Sequence, residues 1–127
     1  MATRSLIARA TDAGYESVYC HWDGYPQHNG VILLTHYRTA EAVTELLSFG
    51  DISILGPKIG VAHDFEQAGH SPFTTFYGRD RGDTGEHTRP AHHSFLCGVL
   101  KRAQSHGCEF IYLFEDNDWV YCERLDQ

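Results

Sequence analysis

Hydrophobic and polar residues alternate near both ends of the chain, and each alternating region contains a turn signal. Residues 4–10 and 15–22 flank the sequence TDAG, and residues 109–115 and 119–124 flank DND. Alternation on both sides of a short turn containing Gly, Asp or Asn is typical of a β-hairpin. We therefore predict one hairpin at each end of the chain. The aromatic run FTTFY at 73–77 predicts a single strand between them.

Helical periodicity occupies three segments between these strands. Residues 29–37 predict a short helix capped by Asn29, and Thr39 is expected to cap a second helix over 40–49. A third helix is predicted over 90–106. The apolar stripes that we expect to face the core are Val43, Leu46 and Leu47 in the second helix, and Phe95, Leu96, Val99, Leu100 and Ala103 in the third.

These elements predict an α+β fold in a single domain spanning residues 1–127. We expect a mainly antiparallel sheet, built from the N-terminal hairpin, the middle strand and the C-terminal hairpin, with about three helices packed on one face. Two long loops are predicted, at about 56–72 and 78–90, and both are rich in Gly, His, Asp or Arg. Loops this long in a small domain are commonly functional.

Charge and composition exclude several classes of function. The net charge is −7 with histidines neutral, and only 10 residues are Lys or Arg. Affinity for duplex DNA comes largely from basic residues, so we expect no duplex-DNA binding. No apolar run approaches about 20 residues, so no membrane span is predicted. The four cysteines form no CxxC pair, which favours reduced thiols in a cytoplasm over a disulfide framework.

The most unusual stretch is YCHWDGYP at 19–26, which crowds reactive and aromatic side chains at the end of the predicted second strand. Its Asp23-Gly24 pair predicts a turn. The Cys20-His21 pair, in a chain with nine histidines, suggests a zinc site. Neighbouring residues in a strand point to opposite faces, however, so one ion is rarely bound by both. We predict no metal site and no cofactor.

The same stretch suggests a nucleophile, because Cys20, His21 and Asp23 lie close together in sequence. Catalytic Cys–His pairs are defined by spatial geometry and not by adjacency. The chain contains no phosphate-binding loop, nucleophile elbow or dinucleotide fingerprint. We interpret Cys20 as a small buried apolar residue and predict no catalytic residue.

A ligand platform is the third interpretation of this stretch. Aromatic faces combined with an arginine fork hold a base and its phosphate without any catalysis. The alternative is that the aromatic side chains belong to the core and that the arginines pair with Asp80 and Asp83. The residues predicted to bind the ligand are Tyr19, His21, Trp22, Asp23, Tyr25, Tyr37, Arg79 and Arg81.

Five segments carry a family resemblance that spans nearly the whole chain. They are YCHWDGYP at 19–26, LLTHY at 33–37, GDISILG at 50–56, YGRDRGD at 77–83 and YLFEDNDWVY at 112–121. In this order they resemble a largely uncharacterised family of small phage and prophage proteins. The octapeptide is the specific part of the match.

The resemblance implies a viral accessory protein that counters host defence by stoichiometric binding. The expected function is sequestration of a small nucleotide-type immune signal without turnover, as in the sponge proteins that disarm nucleotide-signalling defence systems. Such a protein is expected to be a homo-oligomer in the cytoplasm of the infected bacterial host. Its partner is then a small nucleotide-like ligand, with a host defence protein as the alternative.

Two alternative functions remain open at this level. The first is an anti-CRISPR-type inhibitor that covers a basic surface of a Cas protein, which the net charge of −7 favours. Its acidic contacts would be Glu115, Asp116, Asp118 and Asp126. The second alternative is a metal-dependent hydrolase.

Overall fold

The structure, a computed structural model, describes residues 2–67 and 72–123. Over these residues the chain has an α+β fold with seven strands and four helices. The strands are β1 (Ser5–Thr11), β2 (Gly14–Cys20), β3 (Ile52–Ile54), β4 (Thr75–Phe76), β5 (Ala91–His93), β6 (Phe110–Glu115) and β7 (Asp118–Glu123). The helices are α1 (Val31–His36), α2 (Ala40–Ser48), α3 (Tyr77–Arg81) and α4 (Leu96–Ser105).

The strands form one mixed sheet in the order β4-β3-β2-β1-β6-β7, and β5 pairs with β2 beside this path. Four pairings are antiparallel, namely β1 with β2, β2 with β5, β3 with β4 and β6 with β7. The pairings of β1 with β6 and of β2 with β3 are parallel. The predicted α+β class is therefore confirmed, although the sheet is not strictly antiparallel.

Both predicted hairpins are present. In the N-terminal hairpin Thr11 lies opposite Gly14, which leaves a two-residue turn. In the C-terminal hairpin Asp116 and Asn117 form the turn with φ angles of 56° and 62°. Two successive residues with positive φ match the right-handed twist of the paired strands, and Asp and Asn tolerate this conformation well. The turn signals in the sequence were thus sufficient to locate both hairpins.

The helices cover both faces of the sheet, whereas the prediction placed them on one face. In β1, Leu6, Ile7 and Ala8 are consecutive and all 0 % exposed, so both faces of this strand need a cover. Ile7 belongs to the cluster formed with α1 and α2, and Leu6 and Ala8 belong to the cluster formed with α4. No helix in the described ranges is long and apolar enough to cross a membrane.

Of the two predicted helix caps, Thr39 is confirmed and Asn29 is not. Thr39 caps α2, because its Oγ1 accepts a hydrogen bond from the backbone N–H of Ala42 at 3.1 Å. Asn29 caps no helix and lies fully buried in a π-helical turn over residues 26–30. Its Nδ2 donates to Ser5 Oγ at 3.1 Å and contacts Cys20 Sγ at 3.3 Å. The amide therefore ties the chain to the first hairpin.

The predicted third helix divides into a strand and a shorter helix. Residues 91–93 form β5, in which His92 lies opposite Glu16 of β2. This edge of β2 is available because β3 pairs with β2 only at Cys20 and Ile52. The prediction of helix from residue 90 was therefore wrong, and α4 begins six residues later.

The predicted apolar stripe of α4 is only partly buried. Val99 and Ala103 are 0 % exposed and pack against β1. Phe95, Leu96 and Leu100 are 73 %, 42 % and 45 % exposed. In α2, by contrast, the whole predicted stripe of Val43, Leu46 and Leu47 is buried.

The segments predicted as long loops contain more regular structure than expected. The predicted middle strand at 73–77 is confirmed as the short strand β4, and the next residues form α3 where a loop was predicted. Single 3₁₀ turns occupy Phe65–Gln67 and Glu86–Thr88. The remaining described part of 56–72 is irregular, apart from a bridge between Lys58 and Phe73.

Candidate functional site

The end of β2 carries a row of aromatic rings, formed by Tyr19, His21 and Trp22. The Tyr19 hydroxyl lies 2.7 Å from His21 Nδ1. The His21 and Trp22 ring centroids are 4.7 Å apart in an edge-on arrangement. On the other side, the Tyr19 ring lies 5.5 Å from the ring of His106, which follows α4. Trp22 is 44 % exposed, so the outer end of the aromatic row is open to solvent.

Burial keeps the two bonded groups of the aromatic row neutral. It raises the pKa of Tyr19 to about 12. It also lowers the pKa of His21, and the positive charge of Arg4 acts in the same direction. At pH 7 the bond between the hydroxyl and Nδ1 therefore joins two uncharged groups. The rings offer apolar faces and neutral hydrogen-bonding edges to a ligand.

A cleft of about 850 Å³ begins beside His106 and is bounded by α4 and the segment before β5. Its volume falls in the usual range for small-molecule sites. The lining includes two arginines, two carboxylates and three imidazoles, whose formal charges balance when the histidines are neutral. These residues are Asp51, Glu86, His87, Arg89, His92, Arg102 and His106.

Arg102 is held in the cleft wall by three internal hydrogen bonds. Its Nη1 donates to the backbone carbonyl and to Oγ of Ser17, at 2.9 and 3.1 Å. Its Nη2 donates to Asp51 Oδ1 at 3.2 Å, and the same oxygen accepts the backbone N–H of Tyr19 at 2.9 Å. No hydrogen bond within the described residues uses Nε of Arg102. These bonds use three of the five N–H groups, so the guanidinium is fixed in orientation while Nε–H and one Nη2–H remain for a ligand.

Arg89 is the second arginine of the cleft. Its side chain is exposed and makes no hydrogen bond or ion pair with the described residues. An arginine on a cleft wall without a carboxylate partner keeps its full fork of donors for an anion.

The predicted ligand residue Arg79 makes its hydrogen bonds to other groups of the protein. Its Nε donates to Asp80 at 3.0 Å, Nη1 to the carbonyl of Ile59 at 2.9 Å and Nη2 to the carbonyl of Thr74 at 2.9 Å. The guanidinium also lies 4.7 Å from the ring centroid of Phe76. All three nitrogens donate within the protein, so the structure gives Arg79 an internal structural role.

The predicted ligand residue Arg81 is also paired within its own segment. Its Nη2 and Nε donate to the carboxylate of Asp83 at 2.5 and 2.9 Å. This ion pair and a bond from His87 hold the pKa of Asp83 at about 2. Neither Arg79 nor Arg81 lines the cleft. The alternative interpretation, in which these arginines pair with Asp80 and Asp83, is the one that the structure contains.

The other predicted platform residues lie apart from the aromatic row. Tyr37 is 3 % exposed, and its hydroxyl donates to the carbonyl of Gly56 at 2.8 Å, so it belongs to the core. Asp23 has a φ of 57° and forms the predicted turn. The Tyr25 hydroxyl donates to Asp23 at 3.4 Å, and its ring lies beside His28. These contacts give Asp23 and Tyr25 a local role in the turn.

Gly24 lies where the octapeptide passes very close to the start of β1. Its N–H donates to the carbonyl of Thr3 at 2.8 Å. A Cβ at this position would lie 2.7 Å from Cβ of Ser5 and 2.8 Å from the Thr3 oxygen. Only glycine allows the chain to pass this close to the start of β1.

Cys20 is buried, as predicted from the sequence. It is 0 % exposed, and burial raises the pKa of its thiol to about 11. Two serine–histidine pairs lie near the cleft: Ser17 Oγ is 2.9 Å from His93 Nε2, and Ser105 Oγ is 3.2 Å from His106 Nδ1. Ser17 is 0 % exposed, so its hydroxyl cannot meet a substrate without rearrangement of the sheet.

Within the described ranges, no three His, Cys, Asp or Glu side chains are placed to hold a metal ion together. The cleft residues that sequence reasoning missed are chiefly Arg89, Arg102 and His106. Arg102 lies 85 positions from Ser17 in the chain, and no local pattern marks that approach.

The fold and site define a small α+β protein with an aromatic row that opens into a cleft lined by arginine and histidine. Comparison with family models, with curated proteins and with solved structures found no match for this chain.

Proposed function

We propose that this chain binds a small nucleotide-type anion without turning it over. The observation that carries the proposal is the contact between Tyr19 and His106, with ring centroids 5.5 Å apart, which joins the aromatic row to the arginine-lined cleft. A base would stack on the aromatic row, and a phosphate would reach Nε of Arg102 and the fork of Arg89. Stacking and charge-assisted hydrogen bonds are the two interactions by which proteins usually hold nucleotides.

Binding without turnover is supported by the burial of two candidate nucleophiles of β2. Ser17 and Cys20 are both 0 % exposed, and the pKa of the Cys20 thiol is raised by burial. A thiol in this state is a poor nucleophile at neutral pH. The arrangement therefore supports a binding site more than a hydrolytic one.

The biological role that we propose is sequestration of a nucleotide immune signal in an infected bacterial cell. This part rests on the resemblance of YCHWDGYP at 19–26 and the four further segments to small phage proteins. Stoichiometric binding is sufficient for such a role, since lowering the free signal requires a tight site and no chemistry. We expect the binding form to be a homo-oligomer.

Native mass spectrometry of the purified chain tests this proposal directly. The probes are mononucleotides, cyclic oligonucleotides and cyclic ADP-ribose, each added in turn. We expect one of them to add its intact mass to the protein. A protein mass that ignores the whole panel, or the appearance of cleaved nucleotide, would contradict the proposal.

Three single variants test where the nucleotide binds. Arg89→Ala should weaken binding of the nucleotide about tenfold or more, because a charge-assisted hydrogen bond is lost. Trp22→Ala should weaken binding by a similar factor if the base stacks on the aromatic row. Arg38→Ala is the matched control, since Arg38 is an exposed arginine outside the cleft. Equal affinity in all three variants would place the ligand elsewhere.

A further inference from the structure

We propose that the edge strand β7 is a docking site for an extended, basic segment of another protein, which would pair with β7 as an additional strand of the sheet. The partner is characterised by lysine or arginine alternating with apolar residues. This surface lies apart from the nucleotide cleft, and the two proposals do not depend on each other.

The backbone of β7 is paired on one side only. The sheet order ends at β7, which pairs with β6 and with no other described strand. The register with β6 is unbroken over the strand, from Phe110 opposite Glu123 to Glu115 opposite Asp118. Natural proteins usually protect an edge strand of this length with proline, a bulge, charged side chains or a covering segment. Within the described residues, β7 has no proline and no bulge, and its charged residues are only the two at its ends, Asp118 and Glu123.

An apolar groove of about 280 Å³ runs between α1 and β7. Val31 and Leu34 form its helical side, and Trp119 and Tyr121 form its strand side. Val31, Leu34 and Tyr121 are 55 %, 48 % and 58 % exposed, so the groove is open. In a strand added beside β7, every second side chain would point to this face of the sheet. The groove therefore accommodates the apolar residues of an alternating segment.

The charge of the C-terminal hairpin favours a basic partner: Asp118 and Glu123 are the ends of β7, Glu115 ends β6 and Asp116 lies in the turn. Glu115, Asp116, Asp118 and Glu123 are all exposed, and none forms an ion pair with a described residue. Four carboxylates on one hairpin attract a segment that carries lysine or arginine. They also disfavour edge-to-edge pairing of two copies, because the acidic ends of both strands would meet.

The first experiment uses a synthetic eight-residue peptide of alternating lysine and valine, with a peptide of alternating glutamate and valine as its control. Hydrogen exchange of the full-length protein is followed by NMR. We expect the lysine peptide to protect amides of β7 from exchange and to shift the resonances of Val31 and Leu34. No effect of the lysine peptide, or the same effect of both peptides, would overturn the proposal.

Two charge variants distinguish docking of the peptide at β7 from its non-specific attraction to an acidic protein. The test variant combines Asp116→Asn, Asp118→Asn and Glu123→Gln, and should weaken peptide binding about tenfold. The control variant combines Glu41→Gln, Glu45→Gln and Glu66→Gln, which removes the same charge from exposed sites elsewhere. We expect it to change binding less than about twofold. Equal weakening in both variants would contradict a specific site.

Analytical ultracentrifugation of the protein alone tests the competing occupant. If the chain forms a dimer that dissociates when Tyr121→Asp is introduced, a second copy covers β7 and the proposal is wrong. A monomer, or an oligomer that the substitution leaves intact, keeps β7 accessible to the basic segment.

Discussion

Arg79 and Arg102 are buried to a similar extent, but their guanidinium groups differ in how many of their donors bond to the protein. They are 12 % and 13 % exposed, and each is paired with an aspartate, Asp80 or Asp51. Around Arg79 all three guanidinium nitrogens donate to the protein. Around Arg102 the two terminal nitrogens do so, whereas Nε has no partner among the described residues and the side chain lines a cleft of about 850 Å³.

The difference shows what separates a structural arginine from an available one. Burial and an ion pair are common to both sites, so neither property identifies a ligand site. The number of donors left without a protein partner, and the space in front of them, make the distinction. Four predictions test this difference between the two arginines.

Arg79→Ala should have the largest effect on stability. The Asp80 side chain is 0 % exposed and, among the described residues, would keep only its hydrogen bonds from the backbone N–H groups of His63 and Phe76, so loss of its cation should lower the free energy of unfolding by about 3–5 kcal/mol. Urea titration followed by circular dichroism measures this loss. Arg38→Ala, at an exposed position, is the control. A loss below about 1 kcal/mol would show that Arg79 does not stabilise the fold as described.

Arg102→Ala should lower stability by about 2–3 kcal/mol and abolish nucleotide binding. The stability loss is smaller than for Arg79 because Arg102 makes three hydrogen bonds to the protein, whereas Arg79 makes four and also lies over the rings of Phe49 and Phe76. Ser17→Ala removes one partner of the guanidinium and should cost about 1 kcal/mol while binding persists. Unfolding curves and native mass spectrometry measure the two effects. Unchanged binding in Arg102→Ala would remove the distinction between the two arginines.

Acidification should destabilise the side of the sheet that carries Arg102. Burial lowers the pKa of His21 and of His93, with further lowering by Arg4 and Arg102 respectively. The unfolded chain therefore binds protons first, and stability should fall as the pH drops below about 6.5. Unfolding midpoints measured from pH 7.5 to pH 5 report this slope.

Substitution of histidines tests which groups cause this pH dependence of stability. His21→Gln combined with His93→Gln should flatten it, because the groups that must remain neutral in the folded state are gone. His36→Gln, at an exposed position on α1, should leave the slope unchanged. A slope that survives in the double variant would assign the pH dependence to other groups.

Arg81→Ala should have the smallest effect. Its ion pair with Asp83 is exposed, with side chains 49 % and 20 % exposed, and solvent screens such pairs strongly. We expect neither the unfolding midpoint nor nucleotide binding to change. Loss of nucleotide binding in this variant would return the site to the platform predicted from the sequence.

Sequence patterns predicted the elements that depend only on neighbouring residues. Alternation and turn residues located both hairpins, and the cap at Thr39 marked the start of α2. The pattern failed where a short segment changes role in context. Residues 91–93 are too few to show alternation, and they form a strand only because β2 has an open edge beside them.

The candidate site was predictable in part for the same reason. Tyr19, His21 and Trp22 are nearly adjacent in sequence, so the octapeptide identified the aromatic row. Arg79 and Arg81 were predicted to bind a ligand because they lie in a Gly-containing segment, but Arg79 donates to Asp80, Ile59 and Thr74, and Arg81 donates to Asp83. An arginine's hydrogen-bond partners depend on which carbonyl groups surround it, and these are set by the fold.

The two hairpins, the amphipathic helix α2 and the turn at Asp23 follow from local sequence, because each depends on residues within a few positions of one another. Tertiary packing places β6 beside β1 and α4 on the face opposite α1 and α2. That packing brings Arg102 to Ser17 and to Asp51, which lie 85 and 51 positions away. Contacts between segments so distant are selected by the burial of whole faces, which no local pattern records.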